Sequence, residues 1–286
     1  MGFTARRQRF RAILAGSACV HPGSVFDPIS ARIAEDIGFE IGMFAGSIAS
    51  LTIIGAPDLV IITLTEFADQ IRRITRAGTI PLLVDADHGY GNALSVMRTV
   101  QELESAGVAA MTIEDTLLPT AHGTSTPQLL SRDEGLGKIR AALAARTDPD
   151  TVIVARTSAV AIAGLDEAVA RARLYTEAGA DALFFTGIGR KPELEAIRAV
   201  SPLPIVLGGS DGDLGGREGM AQLGVRVALQ GHQPFMAAVR AVQETLQALR
   251  DGTPPKSLTN QPSAALMKQV TRDSRYATAA RDFLGT

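Results

Sequence analysis

Eight times along this 286-residue chain, a short apolar run is followed by a longer segment with the periodicity of a helix. Runs such as IPLLVDA, TVIVART and LPIVLGG are apolar along most of their length instead of alternating with polar residues. Strands of this kind are buried on both faces, as in parallel sheets that are covered by helices. Eight strand–helix units in a chain of this length predict a (β/α)8 barrel, with a doubly wound open sheet as the alternative.

Glycines mark the points where the predicted helices end, as left-handed C-caps would require. After the last of these glycines, a Pro-Pro pair stops the helix and a second helical pattern begins. We therefore expect the barrel over residues 1–252 and a helical appendage over residues 253–286, which packs on the barrel or on a neighbouring subunit. The glycines are Gly38, Gly78, Gly107, Gly179, Gly224 and Gly252.

The composition restricts the classes of function. The formal net charge of −2 gives no basic surface for a nucleic-acid or anionic membrane partner. The apolar stretch at residues 51–62 is too short and too interrupted to span a bilayer. The single cysteine, Cys19, excludes an internal disulfide, and the N-terminus lacks the apolar core of a signal peptide. We expect a cytoplasmic protein without nucleic-acid or membrane partners.

The third apolar run ends in two aspartates, Asp85 and Asp87, directly before a Gly-Tyr-Gly turn. Residues two apart on a strand point the same way, so two like charges repel unless a cation lies between them. In a (β/α)8 barrel, the carboxyl ends of the strands form the mouth that holds the active site. Other polar or small residues follow the predicted strands and join the aspartates there: Gly46, Ser47, Glu114, Asp115, Arg156, Thr157, Thr186, Ser210, Gln230 and His232.

This group of side chains indicates a particular chemistry. Carboxylate ligands without cysteine are typical of a Mg²⁺ or Mn²⁺ site, and Mg²⁺ relies on one or two carboxylates, waters and the substrate's own oxygens. Arg156 can bind a carboxylate or a phosphate through two parallel hydrogen bonds. The residues therefore predict a site that holds an anionic oxo acid on a divalent metal. Asp115 faces away from Glu114 on its strand, so we expect it to be structural.

Four segments carry a resemblance to a known family: DADHGYGN (85–92), AGVAAMTIEDT (106–116), VIVARTSA (152–159) and GAPDLVIIT (55–63). Through them the chain resembles the isocitrate lyase/phosphoenolpyruvate mutase superfamily across nearly its whole length. The resemblance implies a barrel whose last helix is often exchanged between subunits, and a homotetramer built as a dimer of dimers.

The resemblance also implies roles for individual residues. It implies Mg²⁺ at Asp85, with Asp87 and Glu114 holding waters of the ion. Arg156 would bind the α-oxo acid, while Ser47 and neighbouring backbone N–H groups, including that of Gly46, would bind its carboxylate. The family also assigns the position of Asp58 to the substrate site.

The chain departs from the family in two places. The carbon–carbon lyases carry a Lys-x-Cys-Gly-His element after the fourth strand, and here Ala121 stands at the cysteine position. The phosphonate enzymes carry an asparagine in that loop, and this sequence has none between Asn92 and Asn260. His232 follows the eighth strand, where many relatives place an aromatic or another neutral residue. It is suited to bind a distal carboxylate or to donate a proton.

The resemblance is therefore closest to the soluble, biotin-free oxaloacetate decarboxylases. It implies Mg²⁺-dependent decarboxylation of oxaloacetate to pyruvate and CO₂ through a metal-stabilised enolate, with His232 and Arg156 as catalytic residues. One alternative is another enolate reaction, such as carbon–carbon lysis or hydrolysis of a phosphonopyruvate or an acylpyruvate. A non-catalytic barrel that binds an oxo acid is a further alternative.

Overall fold

The computed structural model describes residues 2–209 and 212–285, which contain a parallel eight-stranded sheet whose strands neighbour one another in chain order. Val20, just before the first strand, pairs with Val227 in the last. The amide of Val20 donates to the carbonyl of Arg226 at 2.9 Å, and the carbonyl of Val20 accepts from the amide of Ala228 at 3.0 Å, so the sheet closes into a barrel. The predicted (β/α)8 fold is confirmed, and the open doubly wound sheet is excluded because its strands do not follow chain order. The strands are β1 (Gly23–Ser24), β2 (Gly42–Phe44), β3 (Leu82–Asp85), β4 (Ala110–Glu114), β5 (Val152–Thr157), β6 (Ala182–Phe185), β7 (Ile205–Leu207) and β8 (Val225–Ala228).

Helices follow each strand. β1 is followed by α2 (Pro28–Ile37). β2 is followed by the short α3 (Gly46–Ala49), a π-helical turn (Ser50–Ile54) and α4 (Leu64–Ala77), and β3 is followed by α5 (Ala93–Ser105). β4 is followed by α6 (Arg132–Ala145), β5 by α7 (Ala159–Ala163) and α8 (Leu165–Glu177), and β6 by α9 (Lys191–Arg198). After β7 and β8 come α10 (Gly216–Gln222) and α11 (Gln233–Arg250), and a 3₁₀ turn (Pro255–Ser257) leads to α12 (Ala264–Thr271) and α13 (Asp273–Leu284).

The N-terminal helix α1 (Phe3–Ala15) covers the end of the barrel opposite the mouth. Arg7 is buried, and its guanidinium donates to the backbone carbonyls of Val108 at 3.0 Å and Glu104 at 2.6 Å, next to the start of β4. With this end closed, the core is a continuous apolar cluster that runs through the strands and the inner faces of the helices. The carboxyl ends of the strands remain as the polar end of the barrel.

The glycine pattern predicted most helix ends correctly. Gly38, Gly107, Gly179, Gly224 and Gly252 all have positive φ, as predicted for left-handed caps. Gly78 differs, because its backbone is extended, with φ −156°. A Cβ at Gly78 would collide with the carboxylate of Glu35, which accepts a hydrogen bond from the Thr79 amide at 3.0 Å. This glycine is therefore needed for space and not for a left-handed backbone.

The eighth helix of the barrel, α11, contacts its own barrel at its start, where Phe235 packs against Phe26, but leaves most of its apolar face uncovered. None of its 18 residues, all of which the structure describes, is buried. Apolar residues recur every three or four positions along it, which is the spacing of a face that normally packs against a partner. That face is exposed to solvent at Met236, Val239, Val242, Leu246 and Leu249. Exchange of this helix between subunits stays a prediction.

The C-terminal helices return to the same chain. Val270 of α12 is buried, and its carbonyl accepts a hydrogen bond from Arg32 of α2 at 2.9 Å. Arg272 forms a two-pronged ion pair with Asp36 at 2.7 and 2.8 Å. The division into a barrel over 1–252 and an appendage over 253–286 stays a prediction. None of the helices in the described ranges combines the length and the apolar character that crossing a membrane requires.

Candidate active site at the mouth of the barrel

The third strand places two aspartates at the mouth. Asp85 ends β3, Asp87 follows two positions later, and both are buried. Asp87 has a φ of 47°, which is uncommon for a residue with a Cβ. The carbonyl of Asp87 accepts the amide of Glu114 at 2.9 Å, and the amide of Asp87 donates to Oδ1 of Asp85 at 3.2 Å. These bonds tie the turn to the neighbouring strand and fix the backbone that carries both acids.

The fourth strand adds a third buried acid, Glu114, at its last position. The hydroxyl of Thr116 donates to Oε2 of Glu114 at 2.8 Å. The hydroxyl of Thr112, two positions before Glu114 on the same face of β4, donates to Oδ1 of Asp85 at 2.7 Å. Two threonines therefore orient two of the three acids. Thr112, Glu114 and Thr116 occupy alternate positions of the MTIEDT segment, but the two threonines were not predicted from the sequence.

Asp115 points to the other side of β4, as the alternation along a strand predicts. Its Oδ2 accepts hydrogen bonds from Arg171 at 2.8 Å and from the hydroxyl of Tyr175 at 2.5 Å. All three side chains are buried, and the two partners belong to α8. Asp115 therefore holds α8 against the barrel, and its structural role is confirmed.

Arg156 of β5 lies among the acids. Its guanidinium donates to Oδ2 of Asp85, and its Nε lies 3.8 Å from Oε2 of Glu114. The guanidinium carbon also lies 5.3 Å from the ring centroid of Phe184, which supports its plane. Burial opposes its charge, but Asp85 and Glu114 outweigh that effect and raise the pKa of Arg156. Arg156 is therefore a fixed cation at the centre of the mouth.

The cluster as a whole has an excess of negative charge. Three carboxylates against one guanidinium leave two excess negative charges when all of them are ionised. Burial raises the pKa of Asp87 well above its usual range, and Asp85 and Glu114 raise it further. Burial and Asp85 also raise the pKa of Glu114, although Arg156 opposes the shift. A divalent cation would relieve this repulsion.

The donors at the mouth fit a hard divalent ion, because every acid there offers oxygen. Within residues 2–209 and 212–285, however, no three Asp, Glu, His or Cys side chains converge closely enough to coordinate one ion together. The cluster thus fits an ion that one carboxylate binds directly and that keeps several waters, which is the usual habit of Mg²⁺. The resemblance assigns the direct contact to Asp85 and the contacts through water to Asp87 and Glu114, and this assignment stays a prediction.

The loop after β2 brings in the other predicted substrate residues. Gly46 and Ser47 begin α3 directly after β2, and the α-carbon of Gly46 faces the carboxylate of Asp87. Asp58 lies on the exposed rim. Desolvation by the surrounding groups of the mouth raises the pKa of Asp58, and the nearby charge of Asp85 raises it further. The structure therefore brings these three residues to the same mouth as the acids.

His232 lies at the part of the mouth that follows β8, immediately before α11. Its Nδ1 lies 2.9 Å from the hydroxyl oxygen of Ser24, the last residue of β1. Burial lowers the pKa of His232, although the charges of Asp85 and Asp58 act in the opposite direction. Sequence reasoning identified His232 and missed Ser24, which lies 208 positions away in a strand of only two residues.

His88 and Lys138 stabilise the turn that follows β3. His88 is buried, and burial lowers its pKa to about 4. The backbone carbonyl of His88 accepts a hydrogen bond from the buried Lys138 of α6 at 2.9 Å. His88 and Lys138 therefore hold the turn that carries the aspartates against α6. The sequence did not predict this role of Lys138.

Ser210, which was predicted at the mouth, lies outside the described residues.

The loop after β4 extends from the edge of the site. Thr116 and Leu129 form an antiparallel bridge, and the amide of Leu117 donates to the carbonyl of Gln128 at 2.8 Å. The segment between them is mostly exposed and includes Ala121, the position where the lyases carry cysteine. It encloses a cavity of about 210 Å³ that is lined mainly by its own threonines, with Leu117, Leu118 and Pro127 among the other lining residues.

The fold and the site together define a class: a (β/α)8 barrel with three buried acids, a fixed arginine and a histidine at its carboxyl-terminal mouth. The sequence model of the phosphoenolpyruvate phosphomutase family matches residues 10–250. The chain belongs to this family, and the predicted superfamily resemblance is thereby confirmed.

Individual relatives narrow the comparison. The chain is 58% identical over 285 residues to an oxaloacetate decarboxylase of Rhodopseudomonas palustris (strain BisB5), covering 100% of this chain and 99% of the relative. Among solved structures, it resembles phosphonopyruvate hydrolase in complex with oxalate and Mg²⁺, with a TM-score of 0.85, 30% identity, and 99% and 100% coverage. It also resembles oxaloacetate acetylhydrolase in complex with 3,3-difluorooxalacetate, with a TM-score of 0.85, 28% identity, and 99% and 98% coverage.

Proposed function

We propose that this protein decarboxylates oxaloacetate to pyruvate and CO₂ with the help of a divalent cation, Mg²⁺ or Mn²⁺. The observation that carries the proposal is the identity of 58%, from end to end, with an oxaloacetate decarboxylase. The chemistry of the mouth supports the proposal. Three acids and Arg156 are suited to a metal-bound oxo acid, and the imidazole of His232 lies elsewhere on the mouth, where it can meet the other end of the substrate.

The substrate's two ends match two sides of the barrel. In a closed barrel of eight strands in chain order, β4 lies opposite β8, so Glu114 and His232 face each other across the mouth. We place the C1 carboxylate and the C2 carbonyl of oxaloacetate beside Arg156, with Gly46 and Ser47 at the same end. The C4 carboxylate then extends toward His232 and the rim residue Asp58.

The cation has a place in this arrangement. We propose that Asp85 binds it directly and that Asp87 and Glu114 hold its waters. When bound, the cation supplies Lewis-acid stabilisation for the negative charge that develops on the C2 oxygen. Arg156 contributes a second fixed positive charge at the same end and orients the oxo acid through hydrogen bonds.

The reaction breaks the C3–C4 bond, and its electron pair moves toward the C2 carbonyl while C4 leaves as CO₂. The resulting enolate of pyruvate then takes up a proton at C3. Because C4 leaves as a neutral molecule, a strong cationic contact there would stabilise the ground state more than the transition state. His232 suits this end, because its lowered pKa favours an uncharged imidazole that holds the carboxylate by a hydrogen bond.

A second candidate is hydrolysis of the same substrate to oxalate and acetate. The structural likeness to oxaloacetate acetylhydrolase, with a TM-score of 0.85, favours it. This reaction breaks the C2–C3 bond and needs a water positioned at C2. The greater identity to the decarboxylase, 58% against 28%, makes decarboxylation the better proposal.

We also propose a cytoplasmic homotetramer with α11 exchanged between subunits. The exposed apolar face of α11 supports the exchange, because a helix of this kind needs a partner surface. A groove of about 340 Å³ between α2 and the start of α11, lined by Ile33, Ile37 and Phe39 among others, offers an apolar surface. The buried thiol of Cys19 fits a reducing compartment. The molar mass in solution tests the assembly.

A substrate panel tests the proposed activity. Purified protein with Mg²⁺ is given oxaloacetate, phosphonopyruvate or methylisocitrate, and pyruvate is detected by coupled reduction with lactate dehydrogenase. We expect pyruvate from oxaloacetate well above the rate with metal alone. Pyruvate from either of the other two substrates, without turnover of oxaloacetate, would overturn the proposal.

A further inference from the structure

Where β1 meets β8 and closes the barrel, two polar side chains contact each other in addition to the backbone hydrogen bonds. Ser24 ends β1, and its hydroxyl oxygen lies 2.9 Å from Nδ1 of His232, which lies in the loop between β8 and α11. The pairing of Val20 with Val227 brings these two strands together. Ser24 is 9% exposed, so water has little access to compete for this hydrogen bond.

This contact determines which ring nitrogen remains available. A neutral imidazole has one N–H donor and one acceptor nitrogen, and the partner of one nitrogen decides where the proton resides. With Nδ1 occupied by the hydroxyl, Nε2 is the nitrogen left to meet a ligand. If the hydroxyl donates to Nδ1, the proton resides on Nε2, and Nε2 becomes a hydrogen-bond donor.

We propose that Ser24 is a positioning residue for the reaction: it donates to Nδ1 of His232 and holds the imidazole as the Nε2–H tautomer, with Nε2–H directed to the distal carboxylate of the substrate. This role rests on the proposed decarboxylation. A carboxylate accepts hydrogen bonds and donates none when ionised, so only this tautomer of the neutral ring offers it a donor at Nε2. A ring free to adopt the other tautomer would present a lone pair to that carboxylate and repel it.

The surroundings of the ring agree with this orientation. Asp85 and Asp58 are close enough for their charges to act on the imidazole. A small cavity of about 50 Å³ lies beside Ser24 and His232 and is otherwise lined mainly by Met43, Gly208 and Leu229. The ring therefore lies between a hydroxyl on the strand side and the charged mouth.

Kinetics on three variants test whether Ser24 acts through His232. We expect Ser24→Ala to lower kcat/KM for oxaloacetate by about ten- to a hundredfold, the scale of loss seen when the hydrogen-bond partner of a metal-binding histidine is removed. Ser24→Thr retains a hydroxyl and should recover most of the loss. The inhibition constant of oxalate, which has no C4 carboxylate, should change little. As a control, Ser201→Ala removes another buried serine hydroxyl, which lies 2.7 Å from the hydroxyl of Thr176, and it should leave the kinetics unchanged.

A double variant separates positioning from support of the fold. In a His232→Gln background, Ser24→Ala should have almost no further effect, because its only route to the substrate is gone. If the two substitutions lower kcat/KM by the product of their single effects, Ser24 acts independently of His232 and the inference is wrong. Thermal unfolding of each variant shows whether a loss of activity reflects loss of the folded state.

Nitrogen NMR gives a readout that does not depend on turnover. The chain has four histidines, and a His232→Gln sample identifies the signals of His232 in ¹⁵N-histidine-labelled protein. We expect the wild type and Ser24→Thr to show protonated Nε2 and unprotonated Nδ1, and Ser24→Ala to show a mixture of tautomers. Protonated Nδ1 in the wild type, or no change in Ser24→Ala, overturns the inference even if the protein decarboxylates oxaloacetate. The expected tautomer in a protein that leaves oxaloacetate intact would instead count against the proposed function.

Discussion

The α-carbon of Gly46 faces the carboxylate of Asp87 so closely that a Cβ built on Gly46 would lie 2.6 Å from Oδ2 and 2.7 Å from Oδ1. Gly46 does not have a positive φ, so its backbone would accept any residue, and the carboxylate alone requires the absence of a side chain. The first residue of α3 and the turn after β3 are thus fitted to each other at the mouth.

Gly46→Ala should therefore displace the Asp87 carboxylate while leaving the barrel folded. We expect a loss of kcat/KM of roughly a hundredfold, the scale of effect that a 1 Å misplacement of a catalytic group can have. Gly137→Ala in α6 is the matched control, because a Cβ there meets no atom within 4 Å. It should keep full activity and add about 0.5–1 kcal/mol of stability through helix propensity. Full activity in Gly46→Ala would show that the position of Asp87 does not matter.

Metal binding should stabilise the fold more at high pH than at low pH. Because Asp87 and Glu114 have raised pKa values in the folded chain, that chain binds more protons than the unfolded chain above the usual carboxyl range. Without metal, these two groups therefore reduce stability as the pH rises from that range through their raised pKa values. Mg²⁺ competes with these protons, so its increase in Tm should be larger at pH 8 than at pH 5.

Differential scanning calorimetry in EDTA and in Mg²⁺ measures this difference, and Asp85→Ala is its control. The variant lacks the carboxylate proposed to bind the ion directly, so it should lose both the increase in Tm and the activity. EDTA should abolish wild-type turnover reversibly. Wild-type turnover at full rate in EDTA would rule out the metal.

Substitution of Arg156 should weaken the binding of a planar dicarboxylate. Oxalate resembles the enolate of pyruvate, and we expect it to bind more tightly than pyruvate when Mg²⁺ is present. Arg156→Lys keeps the charge but loses the paired hydrogen bonds, and it should weaken oxalate binding by about ten- to a hundredfold, the worth of one or two bonds to a charged group. Isothermal titration calorimetry measures it. Arg98→Ala, which removes an exposed arginine, should bind oxalate as the wild type does.

His232 should matter for the C4 end of the substrate alone. We expect His232→Ala to lower kcat for oxaloacetate by roughly ten- to a thousandfold, within the range for a positioned acid–base group. His232→Gln retains a hydrogen bond but no proton transfer, so its rate distinguishes orientation of C4 from protonation. Oxalate affinity should be nearly unchanged in both. Normal decarboxylation by His232→Ala would leave the histidine as a helix-start residue and move the specificity to loop 117–134.

The mouth was predictable from sequence because acids follow apolar strands at positions that any (β/α)8 barrel brings together. Asp85 and Glu114 end β3 and β4, and Arg156 is the last residue but one of β5, so the fold class alone makes them neighbours. The opposite orientation of Asp115 followed from the alternation along β4 in the same way. These predictions needed no knowledge of the loops.

Other features depended on contacts that no local pattern records. The pairing of Ser24 with His232 joins the first strand to the loop after the last strand, so it exists only once the barrel has closed. The need for a glycine at position 78 reflects the approach of Glu35 from another unit, whereas the sequence showed only a glycine after a helix. The apolar stripe of α11 looks the same in sequence whether it covers its own barrel or faces away from it.

The fate of each carbon of oxaloacetate tests the central claim most directly. Uniformly ¹³C-labelled oxaloacetate is incubated with the protein and Mg²⁺, and ¹³C NMR follows the products against a sample with Asp85→Ala and the same metal. We predict pyruvate with intact C1–C2–C3 coupling and labelled CO₂ or bicarbonate, formed faster than in the control. Labelled oxalate and acetate in place of pyruvate would contradict the account, because the chain would then break the C2–C3 bond.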